Sequence, residues 1–334
     1  MNKSPRIIYL GTPDFAVEAL RRLVEAHYNV VAVVTMPDKP VGRHHNRLQA
    51  SPVKEYALSQ GLPVLQPERL KDEAFLAELK SYNADLQIVV AFRMLPEAVW
   101  AMPPLGTFNI HASLLPQYRG AAPINWAIIN GDKETGLTAF FLQHDIDTGN
   151  IIDQVRVPIS EDCTCGELHD TLMHLSGDLA LRTVDSIANG TAKSIPQSEM
   201  LKMDLDLDPV RDRSMLNVLR PAPKIFKETC RIDWTQPLGQ IYNFVRGLSP
   251  YPGAWTVMRS AAGEQELKIF GAEPVVADHS VEVGSLVSDG RKRLDVAVPG
   301  GWLRITELQL AGKKRMATTA FLCGQQLDGS ERLL

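Results

Sequence analysis

Asn109 and His111 stand two residues apart in the segment GTFNIHAS (106–113). Alternate residues of a β-strand project from one face, so a strand here points an amide and an imidazole the same way. An amide N–H and an imidazolium N–H can both donate to an oxyanion, and imidazole changes its charge near neutral pH. Asp147 lies further on, in the polar run HDIDTG (144–149). A carboxylate beside an imidazole favours its charged form and fixes its orientation. The same spacing would also serve a plainer purpose, with Asn109 and His111 bonded to loop backbone and Asp147 holding a turn.

Other clusters carry less chemistry. The first strand-to-helix turn, LGTPDFA (10–16), has a single Gly. The Gly-x-Gly-x-x-Gly dinucleotide fingerprint is therefore absent, and NAD is disfavoured. Cys163 and Cys165 form C-x-C without a second pair, and His44-His45 has no further ligands spaced nearby. Zinc takes about four ligands, so no metal is expected. AGKKRM (311–316) groups Lys313, Lys314 and Arg315, which suits either phosphate contact or a solvated charged turn.

For Asn109 and His111 to face a site, their strand must end at the edge of a sheet. The first half of the chain alternates strand-like and helix-like segments: RIIYLG, PDFAVEALRRLVEAH, NVVAVVTM, SPVKEYALSQG, LPVLQP, DEAFLAELKSYN, ADLQIVVAF and GTFNIHAS. Phe15, Ala19, Leu20, Leu23 and Val24 recur at helical spacing, and Ser-Pro followed later by Gly brackets the second helix. This order predicts a doubly wound, mostly parallel sheet, whose sites lie at the carboxyl ends of its strands. TGLTAFFLQHDIDTGNIIDQVRVPI (135–159) reads as two strands around the turn that holds Asp147. CGELHDTLMHLSGDLALRTVDSIANG (165–190) reads as one long helix. A charged, Pro-containing stretch follows, then one helix and closely spaced short strands that suggest a small, OB-like β-barrel. We therefore expect an N-terminal α/β domain over 1–204, a linker over 205–222 and a C-terminal barrel over 223–334.

At 334 residues, with 45% hydrophobic and 22% charged, the chain has the size and make-up of two globular domains. It contains no apolar run of about 18 residues, so no membrane span is expected. The N-terminal stretch lacks a long apolar core of the signal-peptide kind, and a cytoplasmic protein is expected. Four Cys in a chain this long do not make a disulfide framework. Residues 1–208 hold 18 Lys and Arg against 26 Asp and Glu, whereas residues 209–334 hold 17 against 13. The basic back half is compatible with a polyanionic partner, although the excess is mild beside a strongly basic domain.

NIHASLLPQYRGAAPINWAIINGDKETG, followed by HDIDTGNII, resembles the folate-dependent formyltransferases. Their pattern runs Asn-x-His-x-Ser-Leu-Leu-Pro, then Arg-Gly-x-x-Pro, then Asp-x-Gly. GTPDFAVEAL, PDKPVGR, SPVKEYALSQGLPVLQP, TCRIDW and QLAGKKRM are similar to motifs of the members that act on methionyl-tRNA. The resemblance implies 10-formyltetrahydrofolate as formyl donor, with no metal, and initiator Met-tRNA as acceptor, in the first step of translation. It implies that Asn109 and His111 stabilise the oxyanion while Asp147 supports the protonated His111. Ser113, Leu114, Leu115 and Pro116 would form the folate loop. Arg43 would sit in a loop near the tRNA acceptor end, Arg119 and Gly120 would close the site, and Lys313 and Lys314 would touch the tRNA backbone. A monomer is expected. Acyl transfer to an amine suits these residue types, since it needs oxyanion donors and proton transfer but no protein nucleophile. Phe92-Arg93 replaces a common Tyr-Gly of the family, and His44 and His45 stand where Gly or Lys is frequent. A formyltransferase for an amino sugar nucleotide or other small amine, or a non-catalytic tRNA- or folate-binding module, is the alternative.

Overall fold

The computed structural model describes residues 4–41, 47–200, 219–261 and 263–334. Its strands in the first half are β1 (Ile7–Gly11), β2 (Val30–Val34), β3 (Lys39–Val41), β4 (Arg47–Gln49), β5 (Val64–Leu65), β6 (Leu86–Val90), β7 (Thr107–His111), β8 (Glu134–Phe141) and β9 (Ile151–Pro158). All except the β3-β4 hairpin join one sheet in the order β5-β2-β1-β6-β7-β8-β9. Pairs from β5 through β7 are parallel, and β8 runs antiparallel to β7. The doubly wound expectation therefore holds. Sequence order reverses between β1 and β6, which makes that junction the switch point where such sheets open a crevice.

Burial explains the strand sequences. Every residue of β1 and β6 is buried, and strands covered on both faces read as continuous apolar runs rather than alternating ones. Ile8, Leu10, Val34, Val89, Phe75 and Leu79 share one core, and each such side chain contributes about 1.5–3 kcal/mol when fully buried.

The helices are α1 (Phe15–Glu25), α2 (Pro52–Ser59), α3 (Glu73–Ser81), α4 (Glu97–Trp100), α5 (Pro123–Ile129), α6 (Cys165–Ala188), α7 (Leu238–Gly247) and α8 (Thr318–Gly324). The starts of α2 and α3 follow capping rules: Ser51 Oγ accepts from Lys54 N at 3.1 Å, and Asp72 Oδ1 accepts from Phe75 N at 3.1 Å. None of these helices is long and apolar enough to cross a membrane. The short helix α5 was not expected; seven residues beginning with a Pro are too few to display an amphipathic repeat.

The chain divides into two units that are not consecutive in sequence. The first comprises 1–120, 135–157 and 169–221, and the second 121–134, 158–168 and 222–334. The second unit is built on β10 (Ala254–Ser260), β11 (Gly263–Val275), β12 (Leu286–Ser288), β13 (Leu294–Val298), β14 (Gly301–Leu310), β15 (Met316–Ala317) and β16 (Arg332–Leu333). They form an antiparallel sheet in the order β12-β13-β14-β11-β10-β16, with β15 beside β14. A bridge between Ser285 and Arg332 brings its two edges together, giving the expected small barrel. Gly284 makes that approach possible, because its φ is +84° and a Cβ there would lie 2.5 Å from Leu333 O. Ile232, Ile241, Ile269, Val296 and Leu303 fill the interior, and Ile129 of α5 packs against them.

The thiols show how burial sets reactivity. Cys323 is exposed, whereas Cys165 and Cys230 are buried, and desolvation pushes the Cys165 thiol up to about 12. Since the thiolate is the nucleophile, iodoacetamide at neutral pH should label Cys323 at least about tenfold faster than Cys165 in the native protein. Peptide mass mapping would check this, and equal labelling would mean that the start of α6 is open.

Candidate active site at the carboxyl edge of the first sheet

Asn109 and His111 lie on β7 with their side chains on one face, at the carboxyl end of a strand parallel to β6. His111 is 7% exposed. Its Nε2 lies 2.8 Å from the carbonyl oxygen of Tyr118, and a carbonyl only accepts, so Nε2 carries the proton. Nδ1 is left facing Asp147 Oδ2 at 3.9 Å. That spacing is too long for a hydrogen bond and places the carboxylate as a near charge beside the ring. Asp147 Oδ2 also accepts from Gly120 N at 3.0 Å.

The path of the chain to Asp147 is indirect. Phe108 pairs with Phe141 and His111 with Thr138, so β8 ends beside the start of β7. About 10 Å separates the two levels at the usual rise per residue. The connection between β8 and β9 must therefore run back along β7 before Asp147 reaches His111. Tyr118 and Asp147, which face the two ring nitrogens, both have left-handed φ values, 60° and 54°. A non-glycine residue held there costs on the order of 1–3 kcal/mol, and the two strained positions meet at this imidazole.

Six buried side-chain polar atoms lack a hydrogen-bond partner among the described residues. Three belong to the carboxyl edge of neighbouring strands: Thr12 Oγ1 after β1, Arg93 Nε after β6 and Asn109 Oδ1 on β7. Buried groups are normally paired, so this cluster marks where a ligand would supply partners.

The segment Ser113–Pro116 follows β7 directly and is stapled from the next strands. Thr138 Oγ1 donates to Ser113 O at 2.7 Å and accepts from Leu115 N at 3.1 Å. Gln154 Nε2 donates to Leu115 O at 3.1 Å. Ser113 Oγ donates to Gln117 O, and the Leu115–Pro116 peptide is cis. Leu114 alone of the four is only half-buried. Arg119 does not reach outward: its Nε and Nη2 donate to Gln197 Oε1 at 3.1 and 2.6 Å. Burial lowers the Arg119 pKa, and Asp147 works against that shift.

Arg43, His44 and His45 lie outside the described residues. The hairpin bearing that loop is anchored at its base, where Lys54 Nζ meets Asp38 Oδ2 at 2.7 Å and Gln66 Nε2 donates to Asp38 Oδ1 at 2.8 Å. The Lys54 hydrogen bond, then that of Gln66, hold the Asp38 carboxyl below its ordinary range. Arg93 turns its guanidinium onto the carbonyls of Pro67 and Glu68. Of the expected linker, residues up to 218 lie outside the description, while Arg220 is held by Gln117 Oε1 and by Tyr118 N.

In the barrel, Lys313 and Lys314 are exposed in the turn between β14 and β15, and Arg315 pairs with Glu307. A second basic turn, Arg291-Lys292-Arg293, precedes β13, and because β13 runs antiparallel to β14 it lies toward the same end of that strand pair as the turn after β14. Hydrogen bonds from the backbone of Arg293, Lys292 and Arg291 draw the Asp289 carboxyl down to about 2. This run of three cations is contiguous in the sequence. Thr138, Gln154 and Gln197 carried no such signal, because each acts on residues from other segments.

Comparison with known proteins bears on what this arrangement does. The pattern of the family described as Formyl transferase matches residues 5–184, and that of its C-terminal domain matches residues 224–326. The chain belongs to the formyl transferase family. Within that family it is 59% identical over 329 residues to a protein of Bacteroides thetaiotaomicron named methionyl-tRNA formyltransferase, covering 98% of each chain. A Parabacteroides distasonis protein of the same name is 60% identical over 320 residues, covering 96% of this chain and 95% of the relative. Among solved structures, HypX from Aquifex aeolicus with tetrahydrofolic acid aligns with a TM-score of 0.62 at 18% identity, covering 96% of this chain and 47% of that one. A sugar 3N-formyl transferase, WlaRD, aligns with a TM-score of 0.60 at 17% identity, covering 93% of this chain and 100% of that one. At such identities these structures share the fold of this chain.

Proposed function

We infer that the chain transfers the formyl group of 10-formyltetrahydrofolate to the α-amine of methionyl initiator tRNA, giving N-formylmethionyl-tRNA for translation initiation. The observation that carries this reading is the match, over almost its whole length, to relatives bearing that activity as their name. The unpaired Thr12 and Asn109 atoms fit a polar ligand at the sheet edge, with Ser113, Leu114, Leu115 and Pro116 as its loop.

The amine nitrogen attacks the formyl carbon, and the carbon's bond to the folate nitrogen then breaks as that nitrogen takes a proton. Asn109 donates to the developing oxyanion, a contact of the kind worth about 2.7–4 kcal/mol. In the neutral tautomer that the Tyr118 carbonyl selects, Nδ1 is unprotonated, and in this reading it accepts a proton from the incoming amine. It donates to the oxyanion or leaving nitrogen only afterwards, as the imidazolium that Asp147 supports. Arg119 and Gly120 brace Asp147 and close the site, and Arg43 meets the tRNA acceptor end.

The domain limits we propose are 1–204 for catalysis, 205–222 as linker and 223–334 for tRNA binding, with 121–134 and 158–168 falling in the first stretch by sequence but in the second unit by contact. We propose a monomer, and a tRNA substrate supports a cytoplasmic setting. Formylation assays run in parallel on Met-tRNA and an amino sugar nucleotide test the reading; activity on the sugar alone would overturn it. Lys313 and Lys314 contact tRNA phosphates in this reading. Their joint replacement by Ala should weaken tRNA binding most at low salt and reduce the slope of log K against log salt by about 1–2. An unchanged slope would remove these lysines from the interface.

A further inference from the structure

The segment after α6 falls between the two family matches, which end at residue 184 and resume at residue 224. Within it Ile195 forms an antiparallel bridge with Ile151, at the start of β9, with N–O distances of 2.8 and 2.9 Å in the two directions. Asn150 Nδ2 adds a bond to Ser194 Oγ at 3.0 Å. Two residues beyond the bridge, Gln197 is 4% exposed and every polar atom of its side chain is used. Its Nε2 donates to Asp147 O at 2.8 Å and to Gly149 O at 2.9 Å. Its Oε1 accepts two bonds from Arg119.

We propose that Gln197 is a positioning residue that locks the Asp147 turn onto His111. One amide grips both ends of the geometry that matters. Its donor side fixes the backbone of the residue whose carboxylate faces His111. Its acceptor side fixes Arg119, whose neighbour Gly120 gives that carboxylate its N–H. Asp147 has a left-handed backbone and lies on a connection that runs back along β7, so no ladder of strand hydrogen bonds holds it in place. A shift of about 1 Å in such a group lowers a rate about a hundredfold. Gln197 does not touch the reacting atoms in this scheme; it acts through Asp147.

The inference rests on the formyl transfer reading, and the test separates the two. Gln197→Met keeps the side-chain length without hydrogen bonds. Gln197→Glu keeps the acceptor for Arg119 but loses both donations to the Asp147 turn. With wild-type enzyme formylating Met-tRNA, both variants should lose about tenfold to a hundredfold in kcat, with KM for the folate donor changed less than about threefold. In an Asp147→Asn background, Gln197→Met should lower kcat by less than about threefold, because the two residues act as one unit. Thermal melting of each variant confirms that folded enzyme is compared. Wild-type kcat in Gln197→Glu, or an undiminished loss in the Asp147→Asn background, would overturn the proposal. Failure of the wild-type protein to formylate Met-tRNA would instead overturn the functional reading.

Discussion

Asp147→Asn should lower kcat for formylation of Met-tRNA by about 10²- to 10³-fold, while KM for the folate donor stays within about threefold. The substitution is nearly isosteric. Its amide oxygen can still accept the Gly120 N–H that Asp147 Oδ2 takes at 3.0 Å, so the turn should survive. What disappears is the negative charge 3.9 Å from His111 Nδ1. His111 is locked at Nε2 by a carbonyl that only accepts, so any proton it gains must go to Nδ1, beside that charge. Without the carboxylate the imidazolium loses its compensation in a buried site, where an unpaired charge is expensive. Steady-state kinetics with each substrate varied in turn would check the split. A variant with wild-type kcat would show that His111 does not cycle through its charged form. Asn109→Ala should fall in the same range through loss of an oxyanion donor, again with folate affinity little changed.

The second large effect is expected at Gly149. A Cβ there would lie 1.6 Å from the carbonyl oxygen of Phe141. That oxygen belongs to the backbone at the end of β8, where Phe141 N donates to Asn150 O at 3.0 Å, so no side-chain rotation can relieve the clash. Gly149→Ala should therefore destabilise the protein by roughly 3–5 kcal/mol, at the upper end for single substitutions. Activity should fall further than stability, because Gly149 O is one of the two acceptors for Gln197. Denaturant unfolding and kcat measured on the folded fraction would test both parts. Wild-type stability would mean that the β8–β9 connection is free to open.

The two predictions also show which parts of the site are legible in the sequence. Asn109 and His111 are readable because a strand repeats every two residues, so their shared face follows from spacing alone. The turn around Asp147 is readable from Asp-x-Asp-Thr-Gly between two apolar runs. The doubly wound sheet follows from short continuous apolar runs that alternate with segments whose apolar residues recur near every 3.6. Three things escape such reading. The return path that carries Asp147 back along β7 is a tertiary event, set by the register of Phe108 with Phe141. The tautomer of His111 depends on the left-handed turn at Tyr118, which no local motif announces. Gln197 and Thr138 are ordinary polar residues whose partners lie in other segments, so their importance exists only in three dimensions.

The interleaving of the two units has a consequence for the order in which the protein can form. Helix α5 spans Pro123–Ile129, and Asn125 Nδ2 donates to Gly247 O at 2.8 Å. Gly247 in turn packs so closely on Ile129 that a Cβ would lie 2.6 Å from its Cγ1. This partner in α7 lies about a hundred residues later in the chain. At a synthesis rate of about 5–20 residues per second, α5 emerges from the ribosome on the order of ten seconds before the helix it packs on. Throughout that interval the apolar face of α5 has no home, and the nascent chain is open to chaperones and to misassembly until α7 arrives.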